Sequence, residues 1–239
     1  MATTGPRAVA LVGIDGSGKT TQAHRLAAAL TAAGVPTRYV QNAGGRHWFG
    51  RLARRLGLRD GQSFFGRRGM LVVEAVLRWM AIARTRSLSR LRHDVAVMDR
   101  YAVCQYASIR ARGGGRSEWM ARLAYGLFRA PDLTFYLAVD PAVAHARIVA
   151  RGSDEESLGY LMAADAAYRS LPEFGAFVEI DANGPADEVT AALVAAVARL
   201  TTDQARPYTG TMAPLVAADS SLASKRITDA ICAGGTQRE

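Results

Sequence analysis

The sequence is poor in cysteine, histidine and lysine. Its 239 residues include two cysteines and four histidines. Cys104 and Cys232 stand far apart, with no CxxC or Cys/His spacing, so we expect neither a disulfide framework nor a zinc site. Lys19 and Lys225 are the only lysines among 30 basic residues, so the positive charge is carried almost entirely by arginine.

Long hydrophobic runs are also missing. The most apolar stretch, residues 70–83, contains Glu74 and Arg78 and is shorter than the roughly 20 residues that cross a bilayer. The first hydrophobic run stops at Asp15 and follows no basic region of the kind that opens a signal peptide. We therefore expect a cytoplasmic protein without a membrane span.

The net charge is +9, and arginines concentrate between residues 46 and 92. A positive field of this kind attracts anions such as nucleotides. The segment contains no recognised nucleic-acid motif, so we interpret most of it as solvated surface and do not expect nucleic-acid binding.

Strand-like and helical patterns alternate along the chain, which predicts an α/β domain. Apolar runs indicate strands at residues 8–12, 37–40, 95–98, 133–138 and 177–180. Apolar recurrence at three- and four-residue spacing indicates helices at residues 20–33, 46–56, 69–91, 118–128, 141–150, 158–171 and 186–200. This order favours three α/β/α layers around a five-stranded parallel sheet. We expect one domain over residues 1–200 and a poorly ordered or docking tail over 201–239.

Residues 13–20 read G-I-D-G-S-G-K-T and fit the phosphate-binding pattern G-x-x-x-x-G-K-[ST]. The run stands between a predicted strand and a predicted helix, which is the context that the pattern requires. Its glycines allow backbone N–H groups and a helix N-terminus to face one anion. Lys19 is expected to bridge the terminal phosphates and Thr20 to ligate Mg²⁺, so the expected ligand is a nucleoside triphosphate, ATP.

The third predicted strand ends in Asp99 and is followed by Arg100. In parallel sheets, ligands bind beyond the carboxyl ends of the strands, where these residues would meet the loop after the first strand. A carboxylate there can hold the metal opposite Thr20, and a guanidinium can clamp a phosphate with two hydrogen bonds. A structural Asp–Arg pair that caps the next helix is the alternative.

Together, the loop and the Asp-Arg-Tyr sequence resemble the thymidylate kinases, a family of P-loop nucleoside-monophosphate kinases. That family has G-x-[DE]-G-x-G-K-[ST]-T, matched by residues 13–21, and D-R-[YFW], matched by residues 99–101. Its D-P-x-x-A-x-x-R-x-x-x-R-G segment, which opens a small helical lid, is matched by residues 140–152. An E-S-x-x-[FY] segment follows, matched by residues 156–160. The likeness covers about residues 8–199.

The resemblance implies ATP- and Mg²⁺-dependent phosphoryl transfer to a nucleoside monophosphate, in the service of nucleotide biosynthesis. It assigns Lys19, Asp99, Arg100 and Arg151 to catalysis, with the lid at about residues 147–157. Residues that bind the nucleotide cofactor would be Gly13, Asp15, Gly16, Ser17, Gly18, Lys19, Thr20, Thr21 and Arg147. Residues that bind the acceptor would be Asp15, Glu74, Arg78, Arg100, Gln105 and Tyr160. Thr20 and Asp99 would hold the metal, and a homodimer is possible.

The acceptor side differs from the family pattern at several positions. Residues 41–45 read Q-N-A-G-G where the family has R-E-P-G-G. Glu74 stands where a phenylalanine stacks on thymine, and residues 104–109 read C-Q-Y-A-S-I in place of S-S-x-A-Y-Q. Because stacking alone is worth roughly 1–3 kcal/mol per base, these changes count against dTMP and leave the identity of the acceptor open.

A phosphate monoester is already an anionic nucleophile at neutral pH, so a monophosphate acceptor needs cationic clamps rather than a general base. Arg78 and Arg100 suit that chemistry. A hydroxyl acceptor would need a base, for which Asp15 or Glu74 is available. A P-loop kinase of a hydroxyl-bearing nucleoside or other small metabolite therefore stays open as an alternative. A second alternative is a nucleotide-binding regulatory protein.

Overall fold

The computed structural model describes residues 6–42, 79–80, 82–83, 94–152 and 156–204. Within them, five parallel strands form one sheet: β1 (Ala8–Val12), β2 (Thr37–Gln41), β3 (Val95–Asp99), β4 (Leu133–Ala138) and β5 (Val178–Asp181). Their spatial order is β2-β3-β1-β4-β5. The predicted P-loop kinase fold with a five-stranded parallel sheet is confirmed.

Six helices are described: α1 (Lys19–Ala32), α2 (Ala102–Ala111), α3 (Gly115–Tyr125), α4 (Pro141–Ala150), α5 (Leu158–Arg169) and α6 (Ala186–Gln204). Helix α1 contacts α6 as well as β1, β2 and β3, while α2 contacts both α3 and α5, and α4 contacts α5. A short 3₁₀ turn, Phe174–Ala176, precedes β5. The two groups of helices enclose the sheet in three layers.

The core is centred on β1, the middle strand, whose five residues are all buried. Such a continuous apolar run is typical of a parallel strand covered on both faces. The neighbouring strands contribute Met98, Phe135, Tyr136 and Leu137, each fully buried. Position in the sheet therefore explains why residues 8–12 form a continuous apolar run in the sequence.

Helix α2 was absent from the sequence-based prediction. Residues 101–107 are all buried, so the first turns of the helix have no solvated polar face. A hydrophobic period of 3.6 residues requires such a face, and its absence explains the omission.

Helix α3 was predicted at residues 118–128 but spans Gly115–Tyr125. Three of its large apolar side chains face solvent: Trp119 is 67 % exposed, Met120 65 % and Leu123 67 %. Its Glu118 is buried instead and bonds Arg110 of α2. The apolar period therefore marked the outer face of this helix.

Several predictions fall outside the described residues. The helix at 46–56 does so entirely, and the helix at 69–91 does so except for residues 79–80 and 82–83, which are helical. Residues 153–155 of the expected lid and 205–239 of the expected tail also lie outside. Among the residues that the structure describes, no helix is long and apolar enough to span a membrane.

Candidate active site

The strand order brings three chain segments together at one edge of the sheet. In the β1–β3 pairing Leu11 lies opposite Asp99, and in the β2–β3 pairing Gln41 lies opposite Asp99. The residues that follow these strands, Gly13, Asn42 and Arg100, therefore emerge side by side. This is the edge at which parallel α/β sheets bind ligands.

The loop after β1 packs closely against α4. Gly16 has φ +83°, and a Cβ atom there would come within 2.4 Å of the Ala144 carbonyl oxygen. Only glycine meets both the left-handed backbone and the close approach. Gly18, with φ 85°, is the residue that precedes α1.

Helix α1 begins at Lys19 without a side-chain cap and without an acidic residue in its first turn. Its first N–H groups therefore lack intrahelical acceptors, and the helix dipole makes this end positive. Thr20 and Thr21 follow Lys19 in the same turn and are exposed, whereas Ser17 and Lys19 are buried. The loop has the geometry of an anion-binding site.

Asp15 links two cations that come from different parts of the chain. Its Oδ1 lies 3.5 Å from the Lys19 Nζ and also accepts a hydrogen bond from the Arg100 guanidinium. Lys19 is 4 % exposed, so a charge is buried here and needs a counter-ion. The carboxylate of Asp15 supplies it.

The pKa values reflect this arrangement. Burial alone would raise the pKa of Asp15, but the charges of Arg100 and Lys19 outweigh it and lower that pKa below its usual value. Burial lowers the pKa of Lys19, and the nearby charge of Arg100 lowers it further. Two cations thus meet around one carboxylate, a distribution suited to binding a further anion.

Asp99 offers an oxygen suited to a metal ion. One carboxylate oxygen, Oδ2, accepts hydrogen bonds from the Thr20 hydroxyl at 2.7 Å and the Tyr39 hydroxyl at 3.4 Å. The other, Oδ1, is buried and has no hydrogen-bond partner among the described residues. Mg²⁺ typically takes one or two carboxylate or hydroxyl oxygens and completes its shell with phosphates and water, so this pair fits it.

Tyr39 sits between Asp99 and α1. Its ring stacks on that of His24 with centroids 3.6 Å apart and planes 23° from parallel. Burial, followed by the charge of Asp99, raises the pKa of Tyr39 to about 12, so its hydroxyl stays protonated and donates to the carboxylate. Sequence analysis missed this contact, because only the pairing of β2 with β3 brings the two residues together.

Arg100 has a left-handed backbone, with φ 73°, and it is the only residue other than glycine with a positive φ in the described parts of the chain. Its N–H donates to the Leu11 carbonyl at 3.1 Å, and its own carbonyl accepts from the Asn42 side-chain amide at 2.9 Å. The backbone N–H of Asn42 donates to the Asp99 carbonyl at 3.0 Å. Asn42 therefore bonds two consecutive carbonyls at the tip of β3.

The remaining predicted acceptor residues that are described lie along α2 and α5. Gln105 is buried in α2. Tyr160 of α5 shares a hydrogen bond with Ser108 at 3.3 Å, and the Arg112 guanidinium lies 4.5 Å from the centre of the Tyr160 ring. Sequence analysis had not singled out Ser108 and Arg112 as partners of Tyr160. Glu74 and Arg78 lie outside the described residues.

The two lid arginines lie within α4 and just after its last residue. Arg147, within α4, donates to the carbonyls of Ala182 at 2.9 Å and Asn183 at 2.8 Å, just after β5. Arg151 follows the last residue of α4 and is exposed. The contacts described here thus join Asp15, Lys19, Thr20, Asp99 and Arg100 in one group, and the part of Arg147 and Arg151 stays a prediction.

Comparisons with known proteins agree with this arrangement. The family model for thymidylate kinase matches residues 11–193. A thymidylate kinase of Halorhodospira halophila is 32 % identical over 218 residues, covering 83 % of this chain and 97 % of that protein. Thymidylate kinases of two Bifidobacterium longum strains are each 31 % identical over 159 residues, covering 63 % of this chain and 75 % of theirs. The chain belongs to the thymidylate kinase family and is a nucleoside-monophosphate kinase, a phosphotransferase.

Proposed function

We propose that the protein transfers the γ-phosphoryl group of Mg²⁺-bound ATP to a nucleoside monophosphate. The observation that carries this proposal is the bridge from Lys19 through Asp15 to Arg100. Lys19 and Arg100 both contact the carboxylate of Asp15. Two cations so close together are expected of a site that binds the donor and acceptor phosphates on either side of the transferred group.

On the donor side, the loop over residues 13–18, the start of α1 and Lys19 would hold the triphosphate. Thr20 and Asp99 would hold the metal, since the unpaired Asp99 Oδ1 and the Thr20 hydroxyl are oxygens of the kind that it prefers. Bound Mg²⁺ would neutralise charge on the phosphate oxygens. Arg147 and Arg151 remain proposed contacts of the nucleotide from the lid.

On the acceptor side, Arg100 would clamp the monophosphate and Arg78 would assist it. Asp15, Glu74, Gln105 and Tyr160 would contact the rest of the acceptor. A monophosphate is ionised at neutral pH, so cations that orient it are sufficient and a general base is not needed. The relatives are named thymidylate kinases, so dTMP is the first acceptor to test.

The test is ADP release in the presence of ATP and Mg²⁺, measured against dTMP, the other deoxynucleoside and nucleoside monophosphates, and the parent nucleosides. We expect at least one monophosphate to accelerate ADP release, with no acceleration by its nucleoside. Lys19→Ala should lower turnover by at least about 100-fold, the scale of losing one electrostatic contact to the transition state, while the circular dichroism spectrum stays unchanged.

The two alternative functions predict different results in the same assay. A kinase of hydroxyl-bearing acceptors would respond to nucleosides rather than monophosphates, and a regulatory protein would respond to neither. Unchanged turnover in folded Lys19→Ala would refute the proposed donor site. The homodimer that the resemblance allows and the expected cytoplasmic location stay predictions; light scattering of the purified protein measures the first.

A further inference from the structure

Asn42, the residue directly after β2, is completely buried and bonds the backbone of Arg100. We propose that Asn42 is a positioning residue that fixes the Arg100 guanidinium for transfer. This inference rests on the proposed function, because it acts through the phosphate clamp assigned there to Arg100. It adds a residue to which the phosphate-binding motifs assign no role.

The backbone of Arg100 is in a state that needs external support. A left-handed conformation costs a residue with a Cβ atom roughly 1–2 kcal/mol, and it persists where the surroundings hold it. The support here is a hydrogen bond on each side: the N–H of Arg100 donates to Leu11, and its carbonyl accepts from the Asn42 amide. Among the described residues, Asn42 provides the side-chain hydrogen bond to that carbonyl.

Asn42 also fixes the preceding peptide. Its backbone N–H donates to the Asp99 carbonyl at 3.0 Å, which continues the pairing between β2 and β3 by one step. The backbone bond to Asp99 does not depend on the Asn42 side chain. Removal of the side-chain amide therefore frees only the carbonyl of Arg100. Relaxation of φ at Arg100 would then swing the guanidinium away from Asp15, and a displacement of about 1 Å from the reactive geometry can cost roughly 100-fold in rate.

The chemistry of the side chain matters as well as its size. Asparagine donates through its NH₂ group, whereas an ionised carboxylate, as in the glutamate of the R-E-P-G-G pattern, only accepts. The Asn42 Oδ1 is buried without a hydrogen-bond partner among the described residues. An unpaired buried oxygen costs roughly 1–3 kcal/mol, so stability of the fold does not by itself account for an amide here.

Asn42→Leu is the informative substitution, because leucine keeps the branched shape and removes both polar atoms. It deletes the bond to Arg100 together with the unpaired oxygen, so we expect a melting temperature within a few degrees of the wild type. We expect kcat/KM for the best acceptor to fall about 10- to 100-fold, with KM for ATP within about twofold, on the scale of misplaced catalytic groups. Asn42→Ala, run in parallel, guards against a folding defect specific to leucine.

Gln22→Met is the matched control. Gln22 is also buried, and its side-chain amide donates to a backbone carbonyl, that of Ala186, at 2.8 Å. Its bond joins α1 to α6 rather than supporting Arg100. Loss of this bond should affect stability without lowering kcat/KM for the acceptor.

A double-mutant cycle with Arg100→Gly separates positioning from a general structural effect. Glycine accepts φ 73° without strain and has no guanidinium, so Asn42→Leu should change kcat/KM less than about twofold in that background. Equal losses in both backgrounds, or no loss in Asn42→Leu alone, would overturn the inference. Wild-type protein that phosphorylates no monophosphate would instead overturn the proposed function and this role with it.

Discussion

The carboxylate of Asp15 lies between Lys19 and Arg100, two cations that would otherwise repel each other. Its Oδ1 contacts both, and their charges lower its pKa, so it is ionised throughout the neutral range. In this position the carboxylate occupies the space between the two cations that a phosphate oxygen would also favour. A phosphate bound as proposed would share these contacts with Asp15 or displace it, and the side-chain position of Asp15 would then depend on the occupancy of the site.

Tyr39 is a second residue whose role depends on a neighbour across the sheet. Tyr39→Phe removes the hydroxyl that donates to Asp99 Oδ2 and keeps the ring that stacks on His24. Thr20 donates to the same oxygen. If the Thr20 hydroxyl binds the metal as proposed, Tyr39 is the remaining described donor that orients the carboxylate. We expect affinity for Mn²⁺, measured by electron paramagnetic resonance with ADP present, to fall about 3- to 10-fold, the low end for such outer contacts.

Tyr136→Phe serves as the control for this measurement. Its hydroxyl also donates to a carboxylate, that of Asp165 in α5, so the substitution removes the same kind of bond elsewhere. Mn²⁺ affinity equal to the wild type in Tyr39→Phe, or an equal decrease in both variants, would contradict a specific role for Tyr39.

The sequence was sufficient to predict Lys19, Thr20 and Asp99 as neighbours, because each belongs to a motif with a fixed place relative to a strand. Tyr39 and the donor role of Asn42 were not predictable in this way. Their contacts depend on the register of β2 against β3, and no local spacing encodes which residue of one strand faces a given residue of another.

At the scale of elements, the strands were easier to predict than the helices. β1 and β4 match their predicted bounds, since buried parallel strands read as continuous apolar runs. Helix α3 shows the limit of this approach. Its Trp119, Met120 and Leu123 face solvent, whereas Glu118 bonds Arg110 and Arg122 bonds Glu173. Apolar periodicity therefore located the helix three residues late.

The loop after β1 and α4 form a contact that can be tested by glycine substitution. Gly16→Ala introduces a Cβ atom at φ +83° and 2.4 Å from the Ala144 carbonyl oxygen. Gly34→Ala has the same φ, +83°, with nothing within 4 Å, and isolates the backbone strain. We expect Gly34→Ala to lower the free energy of unfolding by about 1–2 kcal/mol, and Gly16→Ala by about 1–3 kcal/mol more.

Urea denaturation of both variants measures the difference. Because the loop must shift to relieve the contact in Gly16→Ala, its affinity for ATP should also fall, whereas that of Gly34→Ala should not. Equal stability losses in the two variants would mean that the approach of α4 to the loop is not as tight as described.

For the whole molecule, the order β2-β3-β1-β4-β5 matters more than any one element. It sets β1 between β3 and β4, so the loop after β1 meets Asp99 and Arg100 on one side and packs against α4, which follows β4, on the other. Alternation of strands and helices in the sequence predicts a parallel sheet. The phosphate-binding loop and the Asp-Arg-Tyr motif were expected to meet at the same edge of the sheet, and this predicted that the ends of β1 and β3 lie together.

The charged cluster of Glu118, Glu173, Arg110 and Arg122 joins distant parts of the chain, and its titration should affect the stability of the whole domain. Glu118 accepts from Arg110 at 2.6 and 2.9 Å and from Arg122 at 2.9 Å. Hydrogen bonds from Arg110 lower the pKa of Glu118; burial opposes this shift but is outweighed, and the bond from Arg122 adds to the lowering.

A folded-state pKa below the unfolded value of about 4.3 means that the unfolded chain binds the proton more tightly. The stabilisation is therefore fully present above about pH 5 and is lost as pH falls through the range below 4.3. Glu118→Gln should lower the free energy of unfolding by about 1.5–3 kcal/mol at pH 7, the scale of hydrogen bonds to a charged group. As pH falls below about 4.3 the deficit relative to wild type should shrink, because protonation of Glu118 in the unfolded wild-type chain then favours unfolding.

Asp187→Asn is the comparison, since Asp187 pairs with Arg25 at the surface and its side chain is 91 % exposed. An exposed pair contributes roughly 0–1 kcal/mol, so this variant should follow the wild-type curve closely at every pH. Urea unfolding of the three proteins from pH 3.5 to 7 provides the measurement. A Glu118→Gln deficit that stays constant across that range would show that the lost stability comes from packing rather than from the ionised carboxylate.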